Sequence, residues 1–286
     1  MLFRLLAILS LGAVLGLQQT RAQDSDDIGQ DLSESGEGHM REELGVNDTT
    51  TPQIQKLLLD LDSFQPIPMK LVEANDLDAT FPNRFQTALH FGSLVADGFV
   101  IVINERPQSI QTLGRALLRQ ARALGVGDSL TRRAASLIDL GQKGDWPRLR
   151  EELIKTQTDV EQAMMNLHDE EMAHLISFGG WLRGFQLAAN STADNYTPQR
   201  AAGLVRLDVM NYFIDRLDTL NPRLKRSPVV ATLIGNLKTI YSIATKAGGR
   251  PPSQSEVNEM RNLANEMENA AMSKADDKEH LLDIRE

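Results

Sequence analysis

The chain contains no cysteine. That excludes disulfide scaffolds, thiolate zinc sites, iron–sulfur clusters, c-type haem attachment and cysteine nucleophiles together. It also excludes a lipoprotein anchor, which needs a cysteine after the export signal. Histidine occurs only five times and aromatic residues make up 5% of the chain. No glycine-rich phosphate loop is present: the run from Leu124 through Gly125, Val126 and Gly127 to Asp128 reads as a loop and a helix cap. There is no Gly-x-Ser-x-Gly and no His-Glu-x-x-His. There is no basic stripe, so no nucleic-acid partner is expected. What remains is an ordinary globular balance, 41% hydrophobic and 24% charged over 286 residues. It rules out a disordered chain, a multi-span membrane protein and a collagen-like fibre.

Two stretches precede the part that can fold. Arg4 is followed by an apolar run from Leu5 to Leu17, broken only by Ser10 and Gly12, and then by a polar stretch ending at Ala22. That order describes an export signal over residues 1–22, cut after Ala22. The apolar run is shorter than the roughly 20 residues a spanning helix needs, so no membrane span is expected once the signal is removed. Residues 23–51 carry nine acidic side chains against Arg41, a charge of −8, with many Ser, Gly and Thr. Such a segment buries too little apolar surface to offset its chain entropy and is expected to be a disordered, solvated leader. Arg4 and Arg21 belong to the signal, so residues 52–286 hold only −3 of the chain's −9.

Residues 52–286 read as one all-helical domain, a multi-helix bundle of about eight helices. Apolar residues recur at three and four over 52–64, 81–104, 107–124 and 128–142. Asp145 and Pro147 open a long central helix with no glycine or proline before Gly179, and it is expected to continue to Ala189. Further helices are expected over 197–220, 227–247 and from Ser253 or Ser255 to about 275, each opened by a cap or proline and closed by Gly, Asn or Pro. The β-branched run 99–103 is assigned to a helix because no second strand-like run exists to pair with it. The best internal boundary is the polar stretch 187–197, expected to be a loop. No residue signature recurs at a fixed period, which favours a bundle over a repeat array.

Chemistry-bearing residues concentrate on two of these helices. A heptad-like stripe runs Leu149, Leu153, Thr156, Val160, Ala163, Leu167, Glu170, His174, Ser177, Trp181 and Phe185. It places Glu170 and His174 on a buried seam, where both need partners. Glu171 and His174 also show the Glu-x-x-His spacing of di-iron bundles, but no second pair exists: Met165 precedes His168 at that spacing and Thr87 precedes His90. Asp97 lies in an otherwise apolar run with Ser93, two turns from His90 on the same face. Its expected partner is Arg183, flanked by Gly179, Gly180 and Gly184. These glycines, with Gly92 and Gly98, are read as a close helix crossing.

The favoured reading is an exported protein of the periplasm or extracellular space, non-catalytic, acting by binding or scaffolding, with a buried polar network of Asp97, Arg183, Glu170 and His174 and no cofactor. One competing reading is a metalloprotein or enzyme holding one transition metal on His90, Asp97, Glu171 and His174. Another is a small-ligand carrier whose pocket is lined by Phe91, Trp181 and Phe185. The partner would accordingly be a protein or a small ligand, and the sequence does not specify an oligomeric state.

Overall fold

The computed structural model describes residues 61–67 and 69–273. The expected signal, the acidic leader, residues 52–60 of the helix expected over 52–64 and the stretch after Ser273 lie outside the described residues. Among those described there is no strand, and the molecule is an all-α multi-helix bundle.

At the N-terminal side a short 3-10 turn, Leu61–Phe64, and the one-turn helix α1, Met69–Glu73, lie in a mostly irregular strap that runs to Asn83. The bundle then follows as α2 (Arg84–Ile103), α3 (Pro107–Leu124), α4 (Gly127–Lys143), α5 (Trp146–Asn166) and α6 (Glu170–Asp194). It is completed by α7 (Pro198–Gly203), α8 (Leu207–Asp218), α9 (Pro222–Lys225), α10 (Pro228–Lys246) and α11 (Gln254–Ala271).

α2 is the axis of the fold. Every residue from Phe85 to Val102 is buried, which its near-continuous apolar composition requires. By length and composition it would cross a membrane, yet 94% of its apolar window is enclosed by the rest of the body. It stays helical through the β-branched residues Val100–Ile103 and closes on Asn104, whose Nδ2 donates to the Val100 carbonyl at 2.9 Å. α6 packs most extensively against it, with α3, α5, α11 and the strap around its other sides. α4 covers α3 and α5, while α10 bridges α8 and α11.

Three expected helix limits are corrected. The central helix is two helices, α5 and α6, separated at Leu167, His168 and Asp169. The His168 N–H donates to the Met165 carbonyl at 2.8 Å and the Asp169 N–H to the Met164 carbonyl at 2.9 Å. This is a Schellman closure with a left-handed residue after the cap, and that residue is His168 at φ 55°. Glycine usually occupies this position, so the stop carried no glycine signal. The continuous heptad stripe is broken there, and Leu167 is 57% exposed. His168→Gly is expected to stabilise the protein by about 0.5–1 kcal/mol, because glycine takes φ > 0 without steric cost. Urea denaturation reads this directly, and a lowered midpoint would show that the His168 side chain contributes more than its backbone strain costs.

The second correction is the stretch 187–197. It is not a loop: α6 runs to Asp194, and Leu187, Ala188, Ala189, Ser191 and Thr192 are buried. The helix expected over 197–220 is likewise divided, into α7 and α8, after Gly203. The remaining stops follow the expected punctuation. Gly125 and Gly144 close α3 and α4 at φ 89° and 67°. Ser253 opens α11 with a reciprocal capping box to Glu256.

The strap is held by its backbone carbonyls. Arg200 and Ser191 donate to Phe64 O, with Arg200 also reaching Gln65 O and Ser191 reaching Pro66 O. Arg183 donates to Leu71 O, Arg119 to Leu77 O and Gln120 to Ala79 O. Segments without regular structure need such donor partners for their carbonyls wherever they leave water.

Candidate functional site

One face of α2 is polar although it is buried. Gln86, His90, Ser93 and Asp97 fall at i, i+4, i+7 and i+11, so they line up along one side of the helix. Each is 4% exposed or less. The strap, α6 and α11 close over this seam, and each supplies partners.

Asp97 sits at its deep end. Arg183 Nε donates to Asp97 Oδ1 at 2.7 Å, and Asn75 Nδ2 of the strap donates to Oδ2 at 2.5 Å. The guanidinium makes two more bonds, from Nη1 to Gln186 Oε1 at 2.5 Å and from Nη2 to Leu71 O at 2.7 Å. Burial disfavours the charge on Arg183, but Asp97 and Glu268 outweigh it and hold the guanidinium above its ordinary pKa. Burial pushes the Asp97 carboxyl up, while Arg183 and the Asn75 bond pull it back. The pair is a fully desolvated staple joining α2, α6 and the strap.

Ser93 donates to Glu268 Oε1 of α11 at 2.8 Å, and its oxygen accepts from Asn75 Nδ2 at 3.4 Å. At the other end of the seam Gln86 Nε2 donates to the Ala271 and Ser273 carbonyls, capping the last turn of α11. Beside the seam, Gln186 Nε2 and Asn190 Nδ2 both donate to Asn265 Oδ1 at 3.0 Å, tying α6 to α11 nearer the surface.

Three glycines, Gly92, Gly179 and Gly180, make this crossing close. A Cβ on Gly92 would overlap the Ile176 carbonyl oxygen and lie 2.5 Å from Gly180 N. One on Gly179 would overlap the Leu89 carbonyl. Gly98 instead faces the Leu113 and Leu153 side chains, so it serves the packing of α3 and α5.

Among the described residues His90 has no hydrogen-bond partner on either ring nitrogen. Its ring meets Phe81 edge-on at 5.3 Å. Burial lowers its pKa from 6.5 to about 4, with Arg119 and Arg183 adding to the effect and Asp76 opposing it. His174 is lowered to about 4 by burial and then by Arg216. Both are therefore neutral when folded at pH 5–6, whereas the unfolded chain takes up protons there. Their folded pKa values are depressed, so the stability they confer is present above pH 6.5 and is lost as pH falls towards 4. For fully buried His90 the loss is about 3 kcal/mol. His90→Leu is expected to remove much of that acid sensitivity and to leave stability at pH 7 unchanged or higher, since two unpaired polar atoms disappear. Urea midpoints at pH 7 and pH 4.5 measure it; an unchanged acid slope in the variant would assign the sensitivity elsewhere.

The expected four-residue network divides into two places. Asp97 and Arg183 meet in the seam. Glu170 and His174 do not join them: Glu170 is half-buried in the first turn of α6, where a carboxylate faces the positive end of the helix. His174 Nδ1 lies 3.3 Å from the Tyr212 hydroxyl of α8. The break at Leu167–Asp169 causes this, by making Glu170 a helix-start residue and not a mid-seam one.

The metal alternative is corrected in the same way. Among the described residues no three His, Asp or Glu side chains converge as metal ligands. Glu171 accepts from the Asn221 N–H at 2.5 Å, His174 faces Tyr212, Asp97 faces Arg183 and Asn75, and His90 faces Phe81.

Nor do Phe91, Trp181 and Phe185 line an open pocket. Phe91 is wholly buried in α2. Trp181 stacks on Phe185 at 5.3 Å and on Phe178 at 5.8 Å, and Phe213 of α8 packs at 5.3 Å against both Phe178 and Trp181. The rings fill one another's space and fasten α6 to α8. A groove of about 310 Å³ lies elsewhere, between α4 and α5, lined by Arg132, Arg133, Ser136, Glu152 and Asp159. Arg133 is fixed there by Asp159 at 2.7 Å and Glu152 at 3.1 Å, and Arg132 is exposed.

Sequence reasoning missed Asn75, Gln86 and Glu268 as seam residues. Glu268 had a readable signal: with Ala264 and Ala271 it completes an i, i+4, i+7 row on the apolar stripe of α11. Asn75 had none, because it lies in irregular backbone. No family model, curated protein or solved structure matches the chain.

Proposed function

We propose that this chain is an exported, non-catalytic binding or scaffolding protein of an envelope or extracellular compartment. The observation that carries the reading is the use made of Arg183. Its Nε, Nη1 and Nη2 all donate inside the body, to Asp97, Gln186 and the strap. The residues with the strongest chemical signature are thus consumed in fixing the fold, and recognition falls to the outer helix faces, including the α4–α5 groove. The leading residues, with Arg4, an apolar run and Ala22, support export.

The test follows the full chain in cells that export it. N-terminal sequencing of the mature protein is expected to begin at Gln23. A photoreactive residue in place of Arg132 on the groove, or of Ala231 on the exposed side of α10, is expected to give one adduct of reproducible mass. A chain that retains its leader inside the cell, or that forms no adduct from either face, contradicts the reading.

A further inference from the structure

The seam contains more buried negative charge than it can neutralise. Among the described residues, Arg183 is the one cation hydrogen-bonded to a seam carboxylate, and two carboxyl groups, Asp97 and Glu268, act on that guanidinium. The two are not equally served. Asp97 receives two donors, one on each oxygen, from Arg183 and Asn75. Among the described residues Glu268 receives only the Ser93 hydroxyl, on Oε1; its Oε2 is buried and has no hydrogen-bond partner among them. Glu268 is 5% exposed. A buried carboxylate oxygen with no donor is far costlier than a carboxylic acid hydroxyl in the same place, because only the former leaves an ionic charge unsolvated.

We propose that the Asp97–Glu268–Arg183 cluster is a proton-binding site, in which Asp97 is the anion paired with Arg183 and Glu268 carries one bound proton on Oε2 at neutral pH. The arrangement then has no net charge. Loss of that proton leaves an uncompensated negative charge between α2 and α11, and so weakens the docking of α11 and of the strap, whose Asn75 touches both Ser93 and Asp97. The groups around Glu268 support this. α2 contributes the neutral imidazole of His90 together with Ser93 and Asp97, and α6 contributes Arg183. The strap contributes neutral Asn75, with Lys70, Glu73, Asp76 and Asp78 all exposed. α10, packed along α11, brings exposed Lys238 and Lys246 and half-buried Tyr241. Burial raises the Glu268 carboxyl above its usual range; Arg183 and the Ser93 bond oppose the rise, and Asp97 adds to it.

The sign of the pH effect follows. With its folded pKa raised, Glu268 keeps its proton after the unfolded chain has released it. Stability is then full below the unfolded carboxyl pKa and falls as pH rises through the folded one. The primary test is infrared difference spectroscopy of the whole unsubstituted chain, with and without ¹³C at the glutamate carboxyls. At pH 7 the carbonyl stretch of a protonated carboxylic acid is expected, shifted by the glutamate label and not by an aspartate label. Glu268→Gln, a neutral mimic of the protonated form, is expected to lose that band. It should also keep the same melting temperature from about pH 6 to about pH 9, while the parent loses several degrees and its α11 amides exchange faster. Because the labelled parent needs no substitution, the result stands even if the variant fails to fold. An absent band at pH 7, a band that follows the aspartate label, or alkaline stability set by added Na⁺ or K⁺ overturns the proposal.

Discussion

Gly92→Ala is expected to give no stably folded protein. The methyl group would occupy the position of the Ile176 carbonyl oxygen and lie 2.5 Å from Gly180 N, both of them backbone atoms of α6. A flexible side chain could turn aside, but a packed helix backbone cannot do so without moving the helix. α2 and α6 share the most extensive interface of the fold, so separating them strips contacts along the whole core and pulls Arg183 away from Asp97. The cost exceeds about 4–5 kcal/mol, the range reserved for disrupted cores. That is much of the roughly 5–15 kcal/mol a domain has in total. Gly179→Ala meets the Leu89 carbonyl and should fail in the same way. Gly235 supplies the control. It is exposed on α10 with open space around its Cβ position, and alanine there should add about 1 kcal/mol through helix propensity. Circular dichroism with urea denaturation separates these outcomes. A Gly92→Ala protein with the parent's midpoint would mean that α2 and α6 do not cross this closely.

The second large effect is at Arg183. Arg183→Met leaves Asp97 with only the Asn75 amide, Leu71 O without its donor and Gln186 Oε1 without its partner. Removing one member of a buried ion pair costs about 3–5 kcal/mol, because the other charge is left in a dry site. Arg183→Lys should recover little, since an ammonium cannot direct three donors along the guanidinium fork. The loss has a location as well as a size: hydrogen exchange should rise first in the strap, residues 69–83, which loses one of the side chains that hold its carbonyls. A Met variant with parental stability would show that the pair contributes no more than an exposed one.

Several parts of this arrangement are readable along the chain, for physical reasons that differ. Caps and breakers are local, so Asp145, Pro147, Gly125, Gly144 and Ser253 mark their helices directly. α2 shows itself by an apolar run too long for a strand. The stop after Asn166 is hidden because His168 takes the left-handed position that glycine usually fills. In hindsight the start of α6 has its own mark, Asp169 followed by Glu170 and Glu171 at a helix N-terminus. The division between α7 and α8 is marked only by Gly203, a weak sign. In the site, Asp97 and Arg183 stand out because each is a charge in apolar or glycine-rich surroundings. The contribution of the strap does not, because its acceptors are backbone carbonyls with no side-chain signature. The aromatic residues Trp181 and Phe185 suggest a pocket until Phe178 and Phe213 are seen to fill it.

Asp97 and Arg183 act on each other within the core, and the fold around α2 depends on it. A double-mutant cycle measures that most directly: Asp97→Ala, Arg183→Ala and the double variant, each unfolded in urea at pH 7. The two losses are expected not to add, with a coupling of about 2–3 kcal/mol, because the second truncation removes a charge already left without its partner. Losses that add to within about 0.5 kcal/mol would contradict it, and would free both residues for a role outside the core.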